Sequence, residues 1–205
     1  YPEISTKATA IIVIHENRGL NDWARSITDQ IAGEGYIAIA PDLLSGAGPN
    51  SGKTSDFTNA DDARNAIYAL SPDQITADLN AVFEYAQKIP AADGKVAVMG
   101  FCWGGSQTFR YATNNPRLAT ACVFYGSGPD DQSAYDRIAT RVYGFYGGND
   151  NRVNATIPTS EEMMQKSGKF YEPIIYPGAG HGFMRSGQEP DAALENKEAY
   201  DMAME

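Results

Sequence analysis

The chain has 205 residues, 16 Lys and Arg against 26 Asp and Glu, and a formal net charge of −10 at pH 7. That length suits one domain (1–205) with a sizeable core. The acidic balance speaks against nucleic acid and anionic membrane surfaces as partners, because phosphate binding needs a basic surface that releases counterions. Two cysteines are too few to form a disulfide framework for a domain this size.

Taken in chain order, short apolar runs alternate with helical patterns. Ala10-Ile-Ile-Val-Ile-His15 is the first run, and Tyr36-Ile-Ala-Ile-Ala40, stopped by Pro41, is the second. Residues 46–59 form the one long polar, Gly/Ser-rich connection, expected as a surface loop or a flap beside a site. Ser71-Pro-Asp-Gln74 carries an N-cap serine, proline at the first helical position and glutamine three residues on. Leu79, Val82, Phe83 and Ala86 then share one face of that helix. Further strands are expected at 95–100, 119–125, 142–147 and 172–176, with helices at 107–112, 160–166 and 191–204. Runs apolar throughout read as strands buried on both faces. Their alternation with helices predicts an α/β fold with a mostly parallel sheet.

No apolar run approaches the ~18–20 residues that span a bilayer. The chain begins at Tyr1 rather than Met. The compartment is therefore open: cytoplasmic, or periplasmic or secreted if a signal peptide was removed before Tyr1.

The chemistry gathers at three strand ends. Gly100-Phe-Cys102-Trp-Gly104-Gly105 follows a strand and precedes a helix, with glycine two before and two after a nucleophile-type residue. Such a strand–turn–helix lifts the central side chain above the carboxyl ends of the strands. The helix N-terminus there also favours a thiolate. Gly147-Gly-Asn-Asp150 ends the next-to-last strand, and Gly178-Ala-Gly-His181-Gly-Phe183 follows the last. The order nucleophile, acid, histidine is the triad order of α/β-hydrolases. Trp103, Tyr125 and Phe183 flank these residues and are expected to line an apolar pocket.

These three motifs, together with Val13-Ile-His-Glu16-Asn17-Arg-Gly-Leu20, resemble the dienelactone hydrolase family, the cysteine branch of the α/β-hydrolases, over residues 10–185. The resemblance implies Cys102 as nucleophile, His181 as base and Asp150 as the group orienting His181. It implies that Glu16 contacts the resting thiol and helps switch it to thiolate, and that the backbone N–H groups of Trp103 and Asn17 hold the oxyanion. Family prototypes hold a substrate carboxylate between two arginines; Arg185 matches the second, and Arg64 lies in the region of the first. Only about nine residues precede the first strand, so the antiparallel hairpin usual at the family's start is missing or truncated.

The expected function is hydrolysis of a lactone or small carboxylic ester, carboxymethylenebutenolidase-like, by a monomer or small homo-oligomer without cofactor or metal. Activated esters and lactones suit a thiolate, whereas amides need strong protonation of the leaving nitrogen. The other readings are a catalytically silent or binding member of the fold, and a nucleotide-binding protein through Ala47-Gly-Pro-Asn-Ser-Gly-Lys-Thr54. That loop is separated from its strand and followed by no helical period, as a phosphate loop should not be. His15 reads as a packing residue and Cys122 as a buried, inert thiol.

Overall fold

A computed structural model describes residues 6–205. Six strands form one sheet: β1 (Ala8–Ile14), β2 (Ile37–Ile39), β3 (Ala92–Phe101), β4 (Thr120–Phe124), β5 (Arg141–Gly147) and β6 (Tyr171–Tyr176). The order is β2-β1-β3-β4-β5-β6, and every pairing is parallel. The expected strands are all present. β3 starts at Ala92, three residues earlier than the apolar run, because its Ala8↔Ala92 pairing extends the ladder past a bulge.

Among the described residues eight α-helices connect and cover the strands: α1 (Asp22–Gly33), α2 (Ala60–Ala69), α3 (Pro72–Gln87), α4 (Trp103–Ala112), α5 (Asn151–Asn154), α6 (Ile157–Lys166), α7 (Phe183–Ser186) and α8 (Leu194–Met204). Local chemistry starts them. The Asn21 side chain accepts from the Ala24 N–H, Asn59 from the Asp62 N–H and Ser71 from the Gln74 N–H. Each satisfies an orphan donor of a first turn, worth ~1 kcal/mol.

Alternate strand residues serve opposite faces. Ala10, Ile12 and Ile14 join Ile67, Leu79, Phe83 and Phe109 in one core, while Val13 joins Ile27, Ile31, Phe101, Phe183 and Ala199 in the other. Burial of a side chain such as Leu79 or Phe83 contributes about 1.5–3 kcal/mol, and both are fully buried. This is an α/β architecture, with helices on both faces of a parallel sheet.

Two features position the site. From β1 the chain steps outward to β2 and then returns across β1 to β3, so the β1/β3 crevice is the topological switch point. Glu16 follows β1 and Cys102 follows β3, at the carboxyl ends of those two strands.

The 46–59 connection is tied down rather than free. Thr54 donates to Asp42 through its N–H (3.0 Å) and its hydroxyl (2.6 Å), and its Oγ1 accepts from the Leu20 N–H (3.1 Å). After Lys53 comes only a 3-10 turn, Thr54–Asp56, and the preceding strand ends at Ile39. This segment therefore lacks the strand-to-helix geometry of a phosphate loop. Among the described residues no helix is long and apolar enough to cross a membrane.

Candidate active site

Cys102 occupies the turn between β3 and α4 with φ 56° and ψ −115°. A positive φ is strained for a side-chain-bearing residue, costing on the order of 1–3 kcal/mol, and such strain persists only where the surroundings over-determine it. Here the Cys102 N–H donates to the Phe124 carbonyl (3.0 Å), and the glycines let the walls close in. A Cβ on Gly100 would lie 2.3 Å from the Gly104 carbonyl oxygen. A Cβ on Gly104 would lie 2.4 Å from the carbonyl oxygens of both Ile14 and His15. The end of β1 thus rests directly on the first turn of α4.

His181 Nε2 stands 3.2 Å from Cys102 Sγ, and its Nδ1 stands 2.5 Å from Asp150 Oδ2. Asp150 is buried, with its side chain 5% exposed. Its second oxygen, Oδ1, accepts from the Val153 N–H as the N-cap of α5 (3.3 Å). One carboxylate oxygen anchors the residue while the other fixes the imidazole. The acid and histidine loops brace each other. The Asn149 N–H donates to the Ala179 carbonyl (2.9 Å), the Asn149 side chain to that of Gly178 (2.8 Å), and the Gly180 N–H to Asn196 Oδ1 on α8 (2.8 Å). Neither asparagine was expected from sequence, because their partners are backbone atoms of remote loops.

The Cys102 thiol pKa is raised above its ordinary value. Burial is the main cause and the nearby Glu16 carboxylate the second; the Trp103 N–H and Arg152 oppose them. The thiolate-favouring helix terminus expected from sequence is therefore outweighed, and the resting thiol is protonated at neutral pH. The Trp103 N–H does bear on the sulfur, as a site for an oxyanion beside Cys102 requires.

Glu16 is 7% exposed, and its Oε2 accepts from Arg185 Nε at 3.2 Å. Tyr125 is fully buried at φ 39°, with its ring edge-on to His181 (centroids 5.0 Å) and its hydroxyl without a hydrogen-bond partner. Burial, then the Glu16 charge, pushes its phenol well above the ordinary range, so it stays a neutral donor.

A cavity of about 400 Å³ opens beside the thiol, lined by Cys102, Trp103 and Tyr125, by Ile67 and Tyr68 of α2, and by Arg152 of α5, among others. Among the described residues Arg152 is the only charged one on its walls. Among the described residues no carboxylate lies within ion-pair distance of it. Its position depends on the α5 turn that Asp150 caps, which no periodicity reveals.

Three expected substrate contacts lie elsewhere. Arg64 is exposed on α2 beside Asp61 (3.7 Å) and is not on the cavity wall. Phe183 is fully buried, because it starts α7 facing the α1/α8 core; it packs behind Tyr125 (5.4 Å) rather than lining the cavity. Arg185 faces Glu16 and is likewise off the cavity wall. Among the described residues there is no group of three or more His, Cys, Asp and Glu side chains placed to hold a metal ion.

A family model described as the dienelactone hydrolase family matches residues 1–205. The chain belongs to the dienelactone hydrolase family. One relative in it, from Escherichia coli (strain K12) and provisionally named carboxymethylenebutenolidase, is 34% identical over 184 residues, covering 84% of this chain. The match spans 66% of that relative's length. A relative from Saccharolobus solfataricus with the same provisional name is 29% identical and covers 96% of this chain and 86% of its own. The fold is shared with a crystal structure provisionally titled a dienelactone hydrolase, from Klebsiella pneumoniae subsp. pneumoniae MGH 78578. Its TM-score is 0.83 at 24% identity, covering 98% of this chain and 87% of the other. It is shared too with the dienelactone hydrolase-like promiscuous phosphotriesterase P91 from metagenomic libraries, at a TM-score of 0.77 and 21% identity, with 98% and 86% covered.

Proposed function

We propose that this member of the family hydrolyses a lactone or small carboxylic ester through Cys102, His181 and Asp150. The observation that carries the reading is the line from Cys102 Sγ to His181 Nε2 (3.2 Å) and from His181 Nδ1 to Asp150 Oδ2 (2.5 Å), on a turn of positive φ. A structural cysteine has no need of strained backbone or of an imidazole whose far nitrogen is fixed by a buried carboxylate.

In the proposed reaction the Cys102 proton passes to His181 Nε2 as sulfur attacks the carbonyl carbon. The oxyanion forms against the N–H groups of Trp103 and Asn17. Collapse breaks the C–O bond, and the imidazolium returns its proton to the leaving alkoxide. Water, deprotonated by His181, attacks the thioester, and the thiolate leaves and is reprotonated. Asp150 holds the imidazole in the tautomer that exposes Nε2 and stabilises the imidazolium. Burial, with the Glu16 charge adding to it, keeps the resting thiol protonated.

Within this reading the substrate carries an anionic group, and Arg152 receives it. A lone guanidinium on the wall of an otherwise uncharged cavity complements a carboxylate in a chain of net charge −10. Turnover of paired aryl esters, one neutral and one with a free carboxylate, tests both parts. Hydrolysis that prefers the acid ester and disappears in Cys102→Ala is expected. A folded parent that turns over no ester or lactone would mark a silent or binding member of the family. Equal use of both esters would remove the anionic preference alone.

A further inference from the structure

His15 is the residue that the mechanism above leaves unused, although it is 0% exposed and sits at the end of β1. Its Nε2 is 3.3 Å from the Leu43 N–H. A backbone amide only donates, so Nε2 presents its lone pair and the proton sits on Nδ1. Nδ1–H then donates to the Glu16 carbonyl oxygen at 2.8 Å. Burial lowers the His15 pKa, which keeps the ring neutral in this tautomer. The ring also stacks on the Trp103 indole, with centroids 5.7 Å apart and planes 12° apart.

The Glu16 carbonyl and the Asn17 N–H belong to one planar peptide unit and point in opposite directions. Fixing the carbonyl therefore fixes the N–H. The same carbonyl accepts from the Gly19 N–H (3.3 Å), which pins the unit from a second side. The Asn17 N–H itself donates to no protein backbone acceptor among the described residues. A hydrogen bond to the carbonyl also polarises the amide and strengthens its donor.

We infer that His15 is a positioning residue for the oxyanion hole. Its Nδ1–H bond aims the Asn17 N–H, which shares the oxyanion with the Trp103 N–H. This rests on the hydrolase reading above and deepens it.

Two conservative variants each keep one of the two ring hydrogen bonds. In His15→Asn the side-chain amide N–H takes the place of Nδ1–H and the Leu43 contact is lost. In His15→Gln the longer amide reaches Leu43 and the donor to Glu16 is lost. The expected result is a kcat lowered about tenfold or more in His15→Gln with KM within about twofold, and largely restored in His15→Asn. Affinity for a trifluoromethyl ketone, whose Cys102 adduct carries an oxyanion, should fall by the same factor as kcat. Alkylation of Cys102 by iodoacetamide, which forms no oxyanion, should be unchanged. His15→Gln matching His15→Asn, or kcat, KM and melting temperature falling together in both, overturns the inference while the parent's own turnover leaves the hydrolase reading standing. A parent without ester turnover overturns both.

Discussion

His15 and His181 stand at the same end of the sheet, one after β1 and one in the turn after β6. Both rings are held by two partners. For His15 both partners are backbone groups, the Leu43 N–H and the Glu16 carbonyl, and the ring is sealed from solvent. For His181 they are a carboxylate and a thiol, and the side chain is 33% exposed. Backbone amides cannot exchange a proton with the ring at neutral pH, so the first imidazole can only hold geometry. A buried carboxylate on Nδ1 fixes the second ring with Nε2 facing the thiol, where a proton can pass between them. Residue type and position in the fold therefore do not separate the two roles; what each nitrogen faces does.

The sharpest break of that contrast is to disturb each ring's partner. Asp150→Asn should lower kcat on an activated ester by ~10³–10⁴-fold, because an amide no longer selects the Nε2-exposed tautomer or stabilises the imidazolium. Steady-state kinetics on the folded variant checks it; a loss under about tenfold would leave His181 no better oriented than His15. His181→Asn should be as damaging, whereas His15→Asn keeps the one bond that matters and should retain most of the rate.

A smaller effect concerns the substrate. Arg152→Gln should raise KM for the carboxylate-bearing ester about three- to tenfold and leave the neutral ester within about twofold. The guanidinium is exposed, so solvent screens part of a charge-assisted bond. Arg185→Gln acting in its place would move the anion site to the Glu16 side of the thiol.

The two cysteines extend the same lesson. Burial pushes the Cys122 thiol from 9.0 up to about 12, and nothing else bears on it. An acid whose pKa is raised in the folded state stabilises the fold fully below its unfolded pKa and loses that contribution as pH rises toward the folded value. Thermal stability should therefore fall as pH is raised from about 9 toward 12. Tyr111, raised from 10.0 to about 12 mainly by burial, contributes to the same decline. Cys122→Ala should flatten part of this slope and leave ester turnover within about twofold. An unchanged slope would show that the thiol does not report burial in the sheet.

Much of the fold is legible in the sequence. The six strands showed as apolar runs because a parallel sheet buries both faces. Cys102, Asp150 and His181 showed because each sits among glycines just past such a run. Helix α2 did not, since only Ala63 and Ile67 on it are buried and the apolar period is too thin to detect. Arg152 was hidden for a different reason. It gains meaning only from the cavity that α2, α3 and α4 form around it. Phe183 adjoins His181 in sequence but not in the pocket, because Gly182 at φ 78° turns the chain and sends the ring into the core.

In the proposed reaction the Cys102 sulfur is the atom that takes the acyl group. Mixing the protein with excess activated aryl ester, quenching in acid within one turnover and mapping peptides by mass spectrometry tests it directly. One acyl group per chain is expected, on the peptide containing Cys102, absent from Cys102→Ala and accumulating in His181→Asn only where attack still occurs without deacylation. Acyl groups on Cys122, on a serine or on no residue at all during active turnover would contradict it.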